Sequence, residues 1–507
     1  MAIISITSKV FKLLQKFRTI KTYEEAIKAQ EDVLRGIINE NRDTKFGKQH
    51  NFKNICNVED YKENVPLLSY GQLKPYIEEI INGNHRILFN YPLKWWVKST
   101  GTTGASKLYP LSEKRLSIDR RAVKKIFYYL IGENPKILRG KFLLFTASAK
   151  LDEINGVPVG YMSGVLATTQ NKFIRRFFVP STDVINMENT ELKYELTLRA
   201  IRRKKITIAI GVTPFLISLL QRASEKGLLK RIRENIEVIF WSGVSISPYK
   251  KWFEENIGSV QYLGSYIGSE GFYGAEIHSE YKDSMLLFVE SIFYEFVKLD
   301  DINKECPERF TLYDVKKGVP YVMHVTTYSG LYSYNVGDVI EFVSLDPPVI
   351  KVKGRAKQVI NLATEKVTED EINAAIVYAC KRNNCVLNRY LVIPMVEGGL
   401  GVYHIYVSFM RKPNDIGMFI NDFDEKLKDL NEVYKLVRAS KILLKPKMVV
   451  VNNAFFEKID NYMYNIGKPV GQLKTLHILL ESHPYYSLYR DAITFWGSQL
   501  IELHRNM

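Results

Sequence analysis

Three short apolar runs, at residues 142–145, 206–210 and 236–240, do most to limit what this chain can fold into. They read as strands buried on both faces, because a half-exposed strand would alternate apolar with polar residues. Helical stretches lie between them, which is the pattern of an α/β domain whose sheets are flanked by helices. After Ile210, Gly211-Val212-Thr213-Pro214 supplies a turn, an N-cap and a proline at the first helical position, and Gly227 stops the helix that follows.

Other textures flank this pattern. Upstream, Thr22 and Glu25 form a capping box ahead of Ala26, Ala29, Val33, Leu34, Ile37 and Ile38, and the spacing predicts a helix over 22–41. Downstream, residues 321–352 are alternating and β-branched, with turns at Ser329-Gly330, Gly337-Asp338 and Asp346-Pro347-Pro348, and read as antiparallel strands. Beyond Lys353-Gly354-Arg355, helices are expected around 369–380 and 422–430, and strands at 390–393 and 403–409. At 507 residues the chain is too long for one compact unit. The boundary falls at Gly354, giving a large N-terminal domain, 1–353, and a small C-terminal α+β domain, 354–507.

The chain carries 71 basic and 55 acidic residues, a net charge of +16. That suits anionic partners in general, from nucleotides and nucleic acid to an acidic membrane surface. The cations are scattered in short clusters such as Arg202-Arg203-Lys204-Lys205, without zinc-finger spacing or an aromatic RNA-binding signature. No nucleic-acid partner is expected, and a solvated face is the plain reading. Cys56, Cys306, Cys380 and Cys385 have neither disulfide-scaffold density nor paired metal spacing, which points to a reducing, cytoplasmic setting. The eight histidines are dispersed, so no zinc site is expected. No run reaches the roughly 18–20 apolar residues needed to cross a bilayer. Residues 1–21 are basic and mildly amphipathic, and read as a packed or interfacial helix in preference to a targeting peptide. The oligomeric state is not legible.

Three segments carry chemistry. Ser99-Thr100-Gly101-Thr102-Thr103-Gly104-Ala105-Ser106-Lys107 follows the apolar Trp95-Trp96-Val97. Its glycines let backbone N–H groups approach an anion, its hydroxyls add donors, and its lysine adds a point charge. The spacing is not that of P-loop NTPases, and alone such a run also reads as an ordinary flexible loop. Residues 262–272 set Glu270 among glycines, serines and aromatic rings, where one carboxylate could hold Mg²⁺ on a nucleotide; a glycine-rich turn between core elements is the rival reading. Leu331-Tyr332-Ser333-Tyr334-Asn335-Val336-Gly337-Asp338 ends in a carboxylate able to accept hydrogen bonds from ribose hydroxyls, or simply to cap its own turn.

In this order the three segments resemble the adenylate-forming superfamily of acyl-CoA synthetases, peptide-synthetase adenylation domains and luciferases. Further motifs narrow the likeness: Thr44-Lys45-Phe46-Gly47-Lys48, Val65-Pro66-Leu67, Leu73-Lys74-Pro75-Tyr76-Ile77, Thr326-Thr327-Tyr328-Ser329-Gly330-Leu331-Tyr332 and Gly471-Gln472-Leu473-Lys474. With them, nearly the whole chain resembles the auxin-responsive acyl-acid amido synthetase family, especially its microbial members. The resemblance implies an enzyme that uses ATP and Mg²⁺ to adenylate a carboxylic acid, releases pyrophosphate and passes the acyl group to an amine, commonly an amino acid. It implies that Ser99, Thr100, Gly101, Thr102 and Thr103 contact phosphates, Tyr266 lies at the nucleotide, Glu270 holds Mg²⁺ and Asp338 binds the ribose. Arg355 near the hinge would approach the nucleotide, and Lys366 and Lys474, from a mobile C-terminal lid, would close on AMP or the reacting centre.

Two positions depart from the resembled pattern. Asn335 replaces an arginine and removes a fixed cation, while Thr475-Leu476 stands where a proline-arginine pair is usual beside the late lysine. The acyl pocket is placed at Val212, Thr213, Phe215, Ser242 and Gly243, because the ends of strands in open α/β sheets form crevices. Two other functions share these features: an acid:CoA ligase, with the same adenylation and a thiol acceptor, and a weakly catalytic nucleotide- or acyl-acid-binding protein.

Overall fold

A computed structural model describes residues 22–99, 107–187, 189–243, 245–278, 280–363, 365–397, 400–452, 454–459, 476–481, 483, 486, 487, 490 and 493. These form two compact units, the first ending at Val352 and the second running on from Lys353 and also including residues 245–258.

The first unit opens with the helix Tyr23–Asn41, started by the reciprocal Thr22–Glu25 capping box that the sequence predicts. Its centre is an eleven-stranded sheet. Five neighbouring strands run parallel: Phe178–Val179, Lys141–Phe145, Ile206–Val212, Val238–Ser242 and Gln261–Ile267. The sheet then turns antiparallel through Phe272–Ala275, Met285–Leu287 and Pro348–Arg355, and ends with Tyr334–Leu345, Pro320–Thr326 and Phe293–Lys298. A core including Phe142, Leu144, Ile208, Val238, Phe240 and Leu263 packs against the helix Glu113–Glu133 and against Met162–Thr169. Removing each such side chain from water stabilises the unit by about 1.5–3 kcal/mol. A second sheet joins Leu108–Ser112, Leu93–Lys98, Val157–Gly160 and Asp152–Ile154.

Three expected details are corrected. The run at 206–210 does not end in a turn: Gly211 and Val212 pair with Trp241 and Ser242, so the ladder takes up their backbone groups and the helix Thr213–Glu225 starts directly. The run at 236–240 enters its strand at Val238, two residues later, although Glu237 already donates its N–H to the Thr207 carbonyl at 2.8 Å and accepts from Gln261 N–H at 3.1 Å. Gly337-Asp338 is not a turn between strands. It lies inside Tyr334–Leu345, where Gly337 has φ +80° and the register against Pro320–Thr326 slips, which makes it a β-bulge.

In the second unit, Val386–Glu397 and Leu400–Arg411 pair antiparallel, and Lys447–Val450 adds in parallel. The helices Glu369–Arg382, Ile416–Leu430 and Glu432–Ala439 share its core with them. Residues 245–258 belong here through Tyr249, whose hydroxyl lies 3.4 Å from Nε2 of His477, and His477 in turn stacks on Tyr390.

Candidate nucleotide and acyl-acid site

The antiparallel strands Leu93–Lys98 and Leu108–Ser112 hold the ends of the glycine- and hydroxyl-rich loop. Ser99 N–H donates to the Lys107 carbonyl at 2.8 Å, and Lys107 N–H donates to Ser99 Oγ at 3.0 Å. Both loop ends are therefore fixed. Thr100, Gly101, Thr102 and Thr103 lie outside the described residues.

Glu270 sits in the hairpin between Gln261–Ile267 and Phe272–Ala275, closed by Gly268 N–H donating to the Gly271 carbonyl at 2.8 Å. Glycine at 268 leaves room for the carboxylate, since a Cβ there would come within 2.8 Å of Glu270 Oε2. The neighbouring Ser269 anchors the turn twice. Its carbonyl accepts from Arg115 Nη2 at 3.0 Å, and its hydroxyl donates to the Lys98 carbonyl at 3.4 Å, beside the glycine- and hydroxyl-rich loop. Burial first, and the Glu270 carboxylate next, push the Tyr109 phenol well above its ordinary range, so Tyr109 stays a protonated donor. Its hydroxyl lies 2.8 Å from that of Tyr334, to which Lys107 Nζ donates at 3.4 Å. Among the described residues no group of three or more His, Cys, Asp or Glu could cage a metal. A single carboxylate in a fixed turn fits Mg²⁺, which takes one or two protein carboxylates and fills its shell with phosphate and water.

The bulge at Gly337 aims Asp338 at Tyr266, whose hydroxyl donates to Asp338 Oδ2 at 2.6 Å. Both are at least partly buried, and the Tyr266 ring leans on that of Tyr273 at 4.6 Å. The described ends of the loop, Ser99 and Lys107, the Glu270 turn and the Asp338 bulge thus meet in one unit. Asn335 donates its N–H to the Leu68 carbonyl, and its Oδ1 is buried without a hydrogen-bond partner among the described residues.

At the carboxyl ends of the parallel strands, Val212, Ser242 and Ser265 stand side by side in register. Gly243, at φ +75°, turns the chain against Val212, while Thr213 is fully buried and Phe215 partly so. Trp241 covers Gly264, where a Cβ would meet the indole at 2.5 Å, and its buried Nε1 has no hydrogen-bond partner among the described residues.

Arg355 and Lys366 belong to the second unit. Arg355 closes the strand Pro348–Arg355. Lys366 is exposed in a left-handed conformation, φ +47°, on a turn pinned by buried Glu365, which accepts from Leu362 N–H, Ala363 N–H and the Tyr403 hydroxyl. A non-glycine residue held there costs about 1–3 kcal/mol and marks a turn fixed by its surroundings. Lys474 lies outside the described residues. Sequence reasoning missed Tyr109 and Arg115 as site residues; the only signal was their closeness to the loop, just beyond Lys107.

The architecture is that of the adenylate-forming acyl-acid ligases. A 2-hydroxyisobutyryl-CoA ligase solved in its postadenylation state superposes with a TM-score of 0.62 at 13% identity, covering 95% of this chain and 94% of that one. The acyl acid amido synthetase AtGH3.15 in complex with 2,4-DB superposes with a TM-score of 0.78 at 20% identity, over 98% and 96%. The GH3 family N-terminal domain matches residues 14–225, its central domain 285–355 and its C-terminal domain 370–483; the chain belongs to the GH3 family. Its relatives include the indole-3-acetic acid-amido synthetase GH3.3 of Arabidopsis thaliana, 23% identical over 93% of each chain. The jasmonoyl-L-amino acid synthetase JAR4 of Nicotiana attenuata is 23% identical over 92% of each.

Proposed function

We propose that this protein is an ATP-dependent acyl-acid amido synthetase that adenylates a small carboxylic acid and transfers the acyl group to an amine, most simply an amino acid. The observation that carries the reading is the convergence of Ser99, Glu270, Tyr266 and Asp338 in one unit, linked through Ser269 and Tyr109, in a chain of the GH3 family.

The first step brings two anions together, a carboxylate and the α-phosphate, and charge grows on the departing pyrophosphate. Donors fixed in advance lower that barrier. Residues 99–103 hold the phosphates, and Asp338, oriented by Tyr266, accepts from the ribose. Glu270 would hold Mg²⁺, which neutralises phosphate charge when bound. No base is needed, because the acid is already ionised near neutral pH. The acid lies against Val212, Thr213, Phe215, Ser242 and Gly243. The second domain, from 354 on, acts as a lid, with Arg355 approaching the nucleotide and Lys366 and Lys474 closing on AMP or the reacting centre. The setting is cytoplasmic, where ATP is present and the thiols of Cys380 and Cys385 stay reduced.

The test incubates the full chain with ATP, Mg²⁺ and a panel of acids, measures pyrophosphate release, then adds amino acids or CoA and identifies products by mass. An amide with at least one acid is expected. A thioester without amide assigns the chain to the CoA ligases, and no adenylate with any acid leaves it a binding protein. Lys474→Ala should slow turnover by about 100-fold or more, in the range of a lost transition-state contact; unchanged turnover removes Lys474 from the reacting centre.

A further inference from the structure

The parallel strands all enter the sheet at the same edge, and the segments leading into four of them are basic. Arg175 and Arg176 precede Phe178–Val179, and Lys136 and Arg139 precede Lys141–Phe145. The run Arg202-Arg203-Lys204-Lys205 precedes Ile206–Val212, and Lys230, Arg231 and Arg233 precede Val238–Ser242. All these side chains are exposed, and none forms an ion pair among the described residues. Within thirteen residues upstream of these strands the carboxylates are Glu133, Glu195, Glu225, Glu234 and Glu237, too few to balance them.

Hydrogen bonds make these segments one surface. Lys141 N–H donates to the Lys205 carbonyl at 2.7 Å, and Lys141 Nζ donates to the Arg176 carbonyl at 2.7 Å. Glu237 N–H donates to the Thr207 carbonyl at 2.8 Å, which joins the fourth segment to the third. On this surface Phe173 is 49% exposed, with the Arg176 guanidinium 4.2 Å from its ring centroid. The proposed site lies elsewhere, at the carboxyl ends of these strands, so the mechanism uses none of these cations.

We propose that this basic edge docks the protein on an anionic lipid surface. The cations are dispersed point charges on four connections, which suits a plane of headgroups, and each Lys or Arg near such a plane adds to the attraction. An exposed aromatic ring flanked by arginines is what the water–lipid boundary takes up. A nucleic acid would use the same charges, yet among the described residues this surface has no groove-reading element and no row of stacking rings.

The experiment sediments the full chain with vesicles of phosphatidylcholine alone or with about one-third phosphatidylserine, at low and physiological salt. Binding to the anionic vesicles, weakened by salt, is expected. The variant Arg202→Glu/Arg203→Glu/Lys204→Glu/Lys205→Glu should lose it more than about tenfold, and Arg175→Glu/Arg176→Glu by less. Circular dichroism and pyrophosphate release should be unchanged in both. A control with the same charge change elsewhere, Lys28→Glu/Lys48→Glu/Lys381→Glu/Lys435→Glu, should keep most of the binding. Equal loss in the control, or equal binding to neutral vesicles, overturns the proposal. So does a variant that keeps vesicle binding while losing affinity for mixed-sequence duplex DNA or RNA.

Discussion

Arg115 shows how much of the site depends on a residue that need not touch the substrate. Its Nε lies 3.2 Å from Asp119 Oδ2, with both side chains almost fully buried, while Nη2 holds the Ser269 carbonyl next to Glu270. Burial pushes the Asp119 carboxyl up to about 6, against the pull of Arg115. Replacing Arg115 alone would strand a buried charge at a cost of about 3–5 kcal/mol, so the informative variant is Arg115→Met with Asp119→Asn. The Ser269-Glu270 turn then loses its anchor. The Mg²⁺ concentration giving half-maximal pyrophosphate release should rise about tenfold or more, as it does when the support of a metal ligand is lost, with little change in KM for the acid. Unchanged Mg²⁺ dependence would show that Arg115 only packs. Glu270 and Asp338 were legible as candidates because a carboxylate among glycines is a chemical signal in the sequence itself. Arg115 and Tyr109 were not, since their partners stand 154 and 225 positions away and only the fold brings them together.

Among the elements, the central strands of the antiparallel half hold an acid-sensitive group. His324, in Pro320–Thr326, faces Glu295 and Asn335 in the neighbouring strands. Burial, helped by the nearby Arg309 guanidinium and opposed by the Val322 carbonyl, lowers its pKa to about 4. The folded state therefore favours the neutral ring. Above the ordinary value of about 6.5 both states are neutral and the full stability is present; as pH falls from 6.5 towards 4 the unfolded chain gains a proton first and stability is lost, by up to about 3 kcal/mol. His324→Gln should cost stability at pH 7 and flatten this part of the acid slope, read by urea unfolding at several pH values. An identical slope in both proteins would assign it to other groups. The sequence showed the strands here as alternating residues, but not that Gly337 is a bulge, because a glycine before an aspartate has the same local signature in a turn.

For the whole molecule, three of the places where the chain passes from one unit to the other share a backbone feature, a glycine of positive φ. They fall at Gly243, at Gly258 and beside Gly354, with φ of +75°, +109° and +132°. The sequence places a boundary at Gly354 on its Lys-Gly-Arg signature, and the division of the units after Val352 lies beside it. That residues 245–258 belong to the second unit was not legible, because the tie is made by Tyr249 and His477, 228 positions apart. Gly354 tests whether the lid must rearrange between the two half-reactions. Its φ excludes other residues without strain, and a Cβ would stand 3.0 Å from that of Glu369, so Gly354→Ala stiffens or shifts this passage at a cost of about 1–3 kcal/mol. If the lid presents different faces to adenylation and to acyl transfer, single-turnover pyrophosphate release should change little while steady-state amide formation falls about tenfold, a barrier increase of about 1.4 kcal/mol. A proportional fall in both would mean general destabilisation. No change in either would mean that the units work without pivoting at this glycine.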